Sequence, residues 1–363
     1  MKVLVGLCGG VDSSVTALLL QRAGHTVGGL FMKNWEEDDV DGVCPAESDA
    51  NDARAIAALL GIPFYGRNFA AEYWDGVFEH FLSELKTGRT PNPDILCNRE
   101  VKFRTFVEHA QDLGYERIAT GHYARLRRQD GRMELLRGVD AGKDQSYFLH
   151  ALDQAQLSVA DFPVGHLWKR EVREIATEAV LPTSAKRDST GICFIGERNF
   201  DPFIARYIAP NPGPMRTPEG ELLGEHRGLQ FYTLGQRGGL NIGGHRGGSG
   251  EPWFVAAKSV PDNTLIVVQG EHPALFGQRL RSEAINWIAG TAPASAFDCT
   301  AKIRYRQQDQ ACHVRLRSDG GVDVEFAERQ RAITPGQSIV FYSGEVCLGG
   351  GVIAASDALL GGL

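Results

Sequence analysis

Three short segments of this chain combine residue types that can bind an anion or carry out sulfur chemistry. Residues 6–13 form a glycine-rich turn with the sequence GLCGGVDS. Residues 89–98 contain two prolines followed by Cys97, and residues 186–196 contain Cys193 after two basic residues. The three segments predict a phosphate-binding loop and two candidate reactive thiols.

The glycine turn lies between a predicted strand and a predicted helix. An apolar run with β propensity precedes it, and helical spacing begins at Asp12 and ends at Gly24. Gly9 and Gly10 let the backbone approach an anion closely, and the free amides at the helix start can then hold phosphate oxygens. The turn lacks the spacing of a Walker A loop and of a dinucleotide-binding motif. A glycine turn without a ligand is the alternative interpretation.

The two cysteines differ in their surroundings. Cys97 lies near a predicted helix start beside Arg99 and Lys102, where a thiol is more reactive than one in a core. Asp94, one helical turn earlier, is either a proton carrier or a helix cap, and the sequence favours the cap. Cys193 follows a glycine in an irregular segment, and a buried structural thiol is its alternative role. Their separation in sequence does not determine their distance in the fold.

The composition is that of a soluble globular protein of two or three domains. The chain has 363 residues, of which 43% are hydrophobic, and a formal net charge of -7 that neither supports nor excludes nucleic acid. No apolar stretch approaches the ~20 residues that span a bilayer, and no secretory leader is recognisable, so we expect a cytoplasmic protein without a membrane span. Seven cysteines without a Cys-x-x-Cys pair argue against a zinc site or a secreted disulfide framework. We therefore expect no metal site built from a cluster of protein ligands.

Local clusters of basic residues are candidate RNA-binding surfaces. A solvated protein face is the alternative interpretation, and from the sequence alone it is the more common one. The clusters consist of Arg99, Lys102 and Arg104, of Arg125, Arg127 and Arg128, and of Lys302, Arg304, Arg306, Arg315 and Arg317.

The predicted secondary structure that positions these three segments differs between the two halves of the chain. Strands alternate with helices in the first half, which predicts an α/β fold with a doubly wound parallel sheet. One of these helices is expected to be capped by Ser48. Residues 210–214 (PNPGP) interrupt the pattern, and short strands, one of them over residues 301–306, follow in the C-terminal third. We predict a catalytic domain over residues 1–207, a small central domain over residues 208–277 and a C-terminal β-barrel over residues 278–363.

Several sequence blocks resemble those of the tRNA-specific 2-thiouridylases, a family within the PP-loop ATP pyrophosphatase superfamily. The resemblance covers nearly the whole chain, and several blocks in order are more specific than any single motif. Besides the glycine turn, the blocks are residues 31–39 (FMKNWEEDD), 89–98 (RTPNPDILCN), 119–123 (ATGHY), 143–149 (KDQSYFL), 188–198 (DSTGICFIGER), 234–237 (LGQR) and 342–351 (YSGEVCLGGG).

The resemblance implies an enzyme that places sulfur on C2 of the wobble uridine of tRNA and contacts the anticodon arm. Such an enzyme transfers AMP from ATP, with Mg²⁺, to the uracil C2 oxygen, and a sulfur nucleophile then displaces AMP. Cys193 would carry a persulfide received from a sulfur-relay protein or a cysteine desulfurase. Cys97 would act either as an acid or as a thiol that attacks the persulfide, which leaves a transient Cys97–Cys193 disulfide.

The resemblance also implies roles for individual positions. His122 has an alternative role as a hydrogen-bonded histidine at a strand end. Asp94 joins Cys97 and Cys193 as a catalytic candidate. The positions that match ATP contacts are Gly6, Leu7, Cys8, Gly9, Gly10, Val11, Asp12, Ser13, Met32 and Gly121. The positions that match contacts to tRNA or to the target base are Asn92, Pro93, Asp94, His122, Lys143, Asp144, Gln145, Arg304, Tyr305 and Gln337.

The chain departs from the family pattern in three places. The loop has Cys8 where the family usually has serine, and Gly238 stands where a lysine is common. Asp201 and Pro202 follow Phe200 in place of the usual basic residue and its neighbour. None of these departures affects Cys97 or Cys193.

Two other functions fit part of these observations. Another PP-loop adenylating enzyme, such as an amide-forming ligase, would explain the glycine turn but would leave the two cysteines without a role. A non-catalytic RNA-binding protein would use only the basic surface of the barrel. Cleavage of ATP to AMP and pyrophosphate distinguishes that protein from either enzyme.

Overall fold

The computed structural model describes residues 1–36, 45–188, 200–242 and 250–358, with the side chains of residues 45 and 46 excepted. Within these ranges the chain forms an α/β region, a small sheet and a closed β-barrel, in that order. No helix in the described ranges is both long and apolar enough to cross a membrane.

A parallel sheet forms the centre of the first region. The strands of this region are β1 (Lys2–Gly6), β2 (Thr26–Lys33), β3 (Phe64–Asn68), β4 (Arg117–Ala119), β5 (Ala124–Gln129), β6 (Arg132–Arg137) and β7 (Ala160–Asp161). Five of them form an all-parallel sheet in the order β3-β2-β1-β4-β7. The order reverses between β1 and β4, so the carboxyl ends of these two strands form the switch point of the sheet. The predicted parallel, doubly wound sheet is confirmed.

Helices connect these strands. They are α1 (Val11–Arg22), α2 (Pro45–Leu60), α3 (Ala70–Tyr73), α4 (Glu79–Lys86), α5 (Pro93–Leu96), α6 (Phe106–Asp112), α7 (Ser146–Leu149), α8 (Gln154–Ser158), α9 (Lys169–Glu178) and α10 (Phe200–Ala205). The π-helical segments Trp74–Phe78 and Cys97–Thr105 join α3 to α4 and α5 to α6, and short 3-10 turns occur at Pro163–His166, Leu229–Phe231 and Pro273–Leu275. Because α2 begins at Pro45, the expected cap at Ser48 is wrong. Proline suits the first helical turn, where its missing N–H would have no partner.

Alternate residues of β1 contribute to two different cores. Val3 and Val5 belong to a buried cluster that includes Ile56 of α2. Leu4 belongs to a second cluster that includes Phe106 of α6. Helices therefore cover both faces of the sheet, which explains why β1 is apolar at successive positions.

Two further sheets follow the parallel sheet. The strands β8 (Gly213–Arg216), β9 (Leu222–His226), β10 (Trp253–Ser259) and β11 (Thr264–Gln269) form a sheet in the order β10-β11-β8-β9. The remaining strands are β12 (Phe276–Ser282), β13 (Asn286–Trp287), β14 (Ala296–Lys302), β15 (Gln310–Leu316), β16 (Val322–Arg331), β17 (Ser338–Ser343) and β18 (Val346–Ser356). Antiparallel pairing runs β12-β16-β15-β14-β17-β18 and returns from β18 to β12. The pairing closes a barrel of six strands, and the predicted C-terminal β-barrel is confirmed.

The strand expected over residues 301–306 is wrong in its second half. β14 ends at Lys302, because the chain then turns. Ile303 N donates to Gln307 Oε1 at 2.8 Å, and Gln307 N donates to Arg304 O at 3.1 Å. Arg304 therefore lies in a turn beyond the barrel strand.

A hairpin from the first region extends the barrel sheet. The strands β5 and β6 pair with each other, and β6 pairs with β18 of the barrel. Two residues of the predicted basic cluster on this hairpin form ion pairs: Arg125 Nη2 lies 2.6 Å from Glu345 Oε2, and Arg127 Nη2 lies 2.6 Å from Glu134 Oε2. The hairpin thus joins two regions of the chain, and part of its positive charge is neutralised by the protein itself.

A buried histidine at the contact between α7 and the barrel makes stability pH-dependent. His150 is 3% exposed and lies beside Gly350 of β18. Burial disfavours the charged imidazole and lowers the pKa of His150 from 6.5 to about 4. Below pH ~6.5 the unfolded chain therefore binds a proton that the folded chain excludes. The free energy of unfolding should fall as the pH decreases from about 6.5 to about 4, by up to ~3 kcal/mol.

We expect His150→Asn to reduce this pH dependence, because the variant lacks the group that titrates. Urea unfolding at pH values of about 7 and about 5 measures the change in the free energy of unfolding. His80→Asn, which replaces an exposed histidine of α4, is the control and should keep the wild-type dependence. An equal pH dependence in His150→Asn and wild type would contradict the assignment.

Candidate active site

The glycine turn lies at the switch point of the parallel sheet. It leads from the carboxyl end of β1 into α1, and Gly121 follows β4 on the other side of the switch point. Gly9 has a φ of 69°, and a Cβ at this position would lie 2.5 Å from the carbonyl oxygen of Asp49 in α2. Backbone therefore packs against backbone at this turn. The amides of the first turn of α1 have no partners within the helix and can serve an anion.

Predicted ATP-binding positions that are distant in sequence meet at this turn. A Cβ on Gly121 would lie 2.8 Å from Ser13 N. A Cβ on Gly6 would lie 3.2 Å from Met32 Cε. The structure thus brings these positions together around one short segment, and their contacts to ATP stay a prediction.

The side chains of the turn have different environments. Leu7 and Val11 are buried in the core and hold the turn in place. The backbone of the turn is then the part that can bind a ligand. Cys8 is exposed. Its amide donates to Ser13 Oγ at 3.3 Å, and its Sγ lies 3.4 Å from the same oxygen. Cys8 therefore keeps a polar contact inside the turn although it replaces the usual serine.

Cys97 lies one turn inside a helix rather than at its start. α5 begins at Pro93, and Asn92 caps it by accepting a hydrogen bond from Asp94 N at 3.1 Å. The expectation that Asp94 is the cap is therefore wrong, because the residue that accepts the amide of N2 is the one before the helix. Cys97 is fully buried and begins the π-helical segment Cys97–Thr105, a geometry that is frequent at functional sites.

The helix that carries Cys97 contacts the glycine turn. A Cβ on Gly6 would lie 3.4 Å from Cε1 of Phe106, which follows the π-helical segment directly. The glycine turn therefore packs against the far end of the helical segment that Cys97 begins.

The segment over residues 143–149 lies between the helix of Cys97 and the barrel. Asn98 Nδ2 donates to Phe148 O at 3.1 Å. The rings of Phe148 and Tyr305 are 4.5 Å apart, and Tyr305 Oη donates to Lys143 O at 3.5 Å. Two predicted tRNA-binding positions from different regions of the chain, Lys143 and Tyr305, are thus brought together next to the helix that carries Cys97.

Three of the predicted tRNA-binding side chains are engaged within the protein. Asp144 is buried and accepts hydrogen bonds from two backbone amides, and Gln145 Oε1 accepts from Tyr123 N at 3.0 Å. His122 is 8% exposed, with Nδ1 2.7 Å from Thr120 Oγ1, and burial lowers the pKa of its imidazole well below 6.5. This environment fits the alternative role of His122 as a hydrogen-bonded histidine. The contacts of all three with tRNA stay a prediction.

Two predicted residues of the barrel region also hold neighbouring backbone. Gln337 Nε2 donates to Thr90 O at 2.7 Å, and Thr90 N donates to Pro335 O at 3.0 Å. Arg304 Nη2 donates to Leu234 O at 3.0 Å. The barrel therefore supports the segment that leads to the helix of Cys97.

A group of charged side chains adjoins the glycine turn, and one of them, Lys169, lies outside every matching sequence block. Lys169 Nζ lies 2.7 Å from Asp12 Oδ1 and 2.8 Å from Asp188 Oδ1. Tyr123 Oη donates to Asp12 Oδ1 at 2.7 Å, and Lys143 Nζ lies 2.6 Å from Asp188 Oδ2. A single lysine in α9 carries no spacing signal, so sequence reasoning missed Lys169.

The second candidate thiol, Cys193, lies outside the described residues. Asp188 is the last described residue before it. The predicted pairing of Cys193 with Cys97 therefore stays a prediction.

Two of the departures from the family pattern form contacts with the chain itself. Asp201 and Pro202 lie in the first turn of α10, and Asp201 forms an ion pair with Arg227. The carbonyl oxygen of Gly238 accepts a hydrogen bond from Gln236 Nε2 at 2.9 Å. Both departures are thus accommodated by local contacts.

The parallel sheet with a glycine turn at its switch point defines an α/β protein with a PP-loop type domain. Comparison with protein families agrees with this class for the first region and also assigns the two regions that follow it. Residues 1–197 match the tRNA methyl transferase HUP domain, residues 201–269 the tRNA methyl transferase PRC-barrel domain, and residues 277–353 the aminomethyltransferase beta-barrel domain.

Curated relatives match along nearly the whole chain. The tRNA-specific 2-thiouridylase MnmA of Chromohalobacter salexigens is 58% identical over 356 residues, which are 98% of this chain and 93% of that protein. The enzyme of the same name from Methylococcus capsulatus is 57% identical over 354 residues, 97% of this chain and 95% of that protein. The chain therefore belongs to the tRNA-specific 2-thiouridylase family. The methyl transferase wording of the domain descriptions differs from the names of these relatives, whose agreement over the whole chain decides the family.

A solved 4-thiouridine synthetase in complex with RNA and ATP is much less similar. It is 14% identical with a TM-score of 0.34, and the match covers 54% of this chain and 46% of that one. A similarity at this level supports no conclusion about this chain.

We expect Gly121→Ala to weaken ATP binding by about tenfold or more, because the added Cβ would lie 2.8 Å from Ser13 N and would displace the turn. Isothermal titration calorimetry measures the dissociation constant. Gly66→Ala in β3 is the matched control, because among the described residues, its chain neighbours aside, no atom lies within 4 Å of its Cβ position. Unchanged ATP affinity in Gly121→Ala would contradict the placement of ATP at this turn.

Proposed function

We propose that this protein adds sulfur to C2 of the wobble uridine of tRNA, with ATP as the activating substrate and Cys193 as the sulfur carrier. As a member of its family it is an ATP-dependent tRNA uridine sulfurtransferase. The contact between Gly6 of the glycine turn and Phe106 on the helix of Cys97 carries the finer proposal. A phosphate-binding turn packed against a thiol-bearing helix suits a reaction that joins ATP cleavage to sulfur transfer.

The first step activates a carbonyl oxygen that is a poor leaving group. The uridine C2 oxygen attacks the α-phosphorus of ATP, which forms an adenylated uridine and releases pyrophosphate. The amides of the glycine turn and the positive end of α1 stabilise the charge that develops on the departing pyrophosphate.

Mg²⁺ would enter with ATP and would neutralise part of the phosphate charge. This ion commonly binds substrate phosphates and water together with few protein carboxylates. Among the described residues, no three side chains of the usual ligand types form a cluster. A complex of ATP with Mg²⁺ is therefore the substrate that we propose for the glycine turn.

The second step transfers sulfur, and Cys97 has two possible roles in it. In one route the Cys97 thiolate attacks the inner sulfur of a Cys193 persulfide, which yields a Cys97–Cys193 disulfide and hydrosulfide. Hydrosulfide then attacks C2 of the adenylated uridine and expels AMP, and a dithiol reductant reopens the disulfide. In the other route the terminal persulfide sulfur attacks C2 directly, with Cys97 or Asp94 as proton donor, and an external thiol releases the product from Cys193.

We propose that tRNA binds where the segment over residues 143–149 meets the barrel. Lys143 is partly exposed and can exchange its partner Asp188 for a phosphate oxygen. The uridine must leave its base stack to reach the thiols. A persulfide-carrying relay protein or a cysteine desulfurase would supply the sulfur in the cytoplasm.

The test of this function is the formation of 2-thiouridine from purified components. Protein, ATP, Mg²⁺, a persulfide donor and unmodified tRNA are incubated, and digested tRNA is analysed by mass spectrometry. We expect 2-thiouridine at the wobble position, with release of AMP and pyrophosphate. Cys193→Ser should lose nearly all product, because it removes the sulfur carrier. Cys97→Ser should also lose nearly all product in the first route, whereas in the second route with Asp94 as proton donor it should retain product.

Cys299→Ser is the matched control, because this cysteine lies in β14 of the barrel. It should retain product formation. Full activity of Cys193→Ser would rule out its role as sulfur carrier, and AMP release without thiolated tRNA in wild type would favour a different adenylating enzyme.

We expect mild oxidation to link Cys97 with Cys193, because the first route requires their sulfur atoms to meet. Peptide mapping under non-reducing conditions identifies the linked peptides. Cys299 and Cys312 provide an internal reference, because their Sγ atoms are 3.7 Å apart on neighbouring strands and should also become linked. Pairing of Cys193 with any cysteine other than Cys97 would contradict this route.

A further inference from the structure

The geometry points to Lys169 as a positioning residue that holds Asp12 of the glycine turn and ties it to Asp188, the residue from which the chain continues toward Cys193. This inference rests on the proposed use of ATP and adds a residue of α9 to the machinery. None of the matching sequence blocks contains Lys169.

Lys169 is shared between two carboxylates. It is the first residue of α9, and its Nζ lies 2.7 Å and 2.8 Å from the two carboxylate oxygens of Asp12. The same Nζ lies 2.8 Å from Asp188 Oδ1, and the side chain is 12% exposed. The backbone amide of Lys169 donates to Asp140 Oδ2 at 3.0 Å, which holds the start of α9 in place. A half-buried ammonium group thus joins the glycine turn to a second segment.

The two carboxylates depend on Lys169 to different degrees. Asp188 has two further cationic partners, Lys143 Nζ at 2.6 Å and Arg173 Nη2 at 2.7 Å. Burial alone would raise the pKa of Asp188, but hydrogen bonds from Lys143 and Lys169 outweigh it and lower the pKa to about 2. For Asp12 the described partners of the carboxylate are Lys169 and the neutral hydroxyl of Tyr123. Without Lys169, Asp188 would keep two cationic partners, Lys143 and Arg173, whereas the described partner left to Asp12 would be the neutral hydroxyl of Tyr123.

The charge of Asp12 matters because it lies in the first turn of α1, where the phosphates of ATP are proposed to bind. A carboxylate without a cation would repel the phosphates and would offset the positive end of the helix. The positive charge of Lys169 offsets this repulsion, and its hydrogen bonds hold the Asp12 carboxylate toward α9. Its effect on ATP is therefore exerted through Asp12 and not by contact with ATP.

The test compares ATP binding in variants of the full-length protein by isothermal titration calorimetry. Lys169→Met should raise the ATP dissociation constant about tenfold, because it leaves Asp12 without its cation. Lys169→Arg keeps a cation and should stay within about threefold of wild type. Arg173→Met removes the same charge one turn further along α9. The described partners of Arg173 are Asp188 and the backbone carbonyls of Ser184 and Lys186, so this variant should also stay within about threefold.

A double substitution decides between positioning and direct contact. In the Asp12→Asn background the carboxylate charge is absent, so Lys169→Met should change ATP affinity by less than about threefold. A tenfold loss in this background would mean that Lys169 contacts ATP itself and would overturn the inference. Unchanged affinity of Lys169→Met in the wild-type background would also overturn it. If wild type binds no ATP, the proposed function fails instead, so the two failures are distinguishable.

Discussion

Close packing of backbone against backbone around the turn at residues 6–13 is the constraint on which the site depends. Gly9 meets the carbonyl of Asp49 on one side, and Gly121 meets the amide of Ser13 on the other. A side chain at either glycine would push the turn away from its neighbours. Because the turn lies at the switch point of the sheet, its position also determines where α1 begins and where Asp12 lies.

The three regions of the chain meet around the helix that carries Cys97. The hairpin of β5 and β6 pairs with the barrel strand β18, and Gln337 of the barrel holds the backbone of Thr90 before that helix. Lys258 of β10 donates to Gly88 O at 2.9 Å, which adds a contact from the central sheet. The barrel therefore supports the candidate active site, in addition to its proposed role in binding tRNA.

Sequence patterns within a few residues correctly predicted features that depend only on neighbouring residues. The glycine turn, the strand before it and the helix after it follow from backbone freedom and apolar spacing within a few residues. The sequence favours Asp94 as the helix cap, but Asn92 occupies that position, because both residue types can cap a helix and their order does not determine at which residue the helix begins. The strand over residues 301–306 was extended too far, since the turn after Lys302 is held by the side chain of Gln307.

The sequence by itself determined the fold class, the glycine turn and, through family blocks, the candidate thiols and the use of ATP. Only the tertiary structure decided that Lys169 of α9 neutralises Asp12, and that the ring of Tyr305 in the barrel region contacts the ring of Phe148 beside the helix of Cys97. Ion pairs and ring contacts between residues more than 150 positions apart depend on how whole elements pack. No periodicity or spacing along the chain encodes such distances, which is why these partners became visible only in the folded structure.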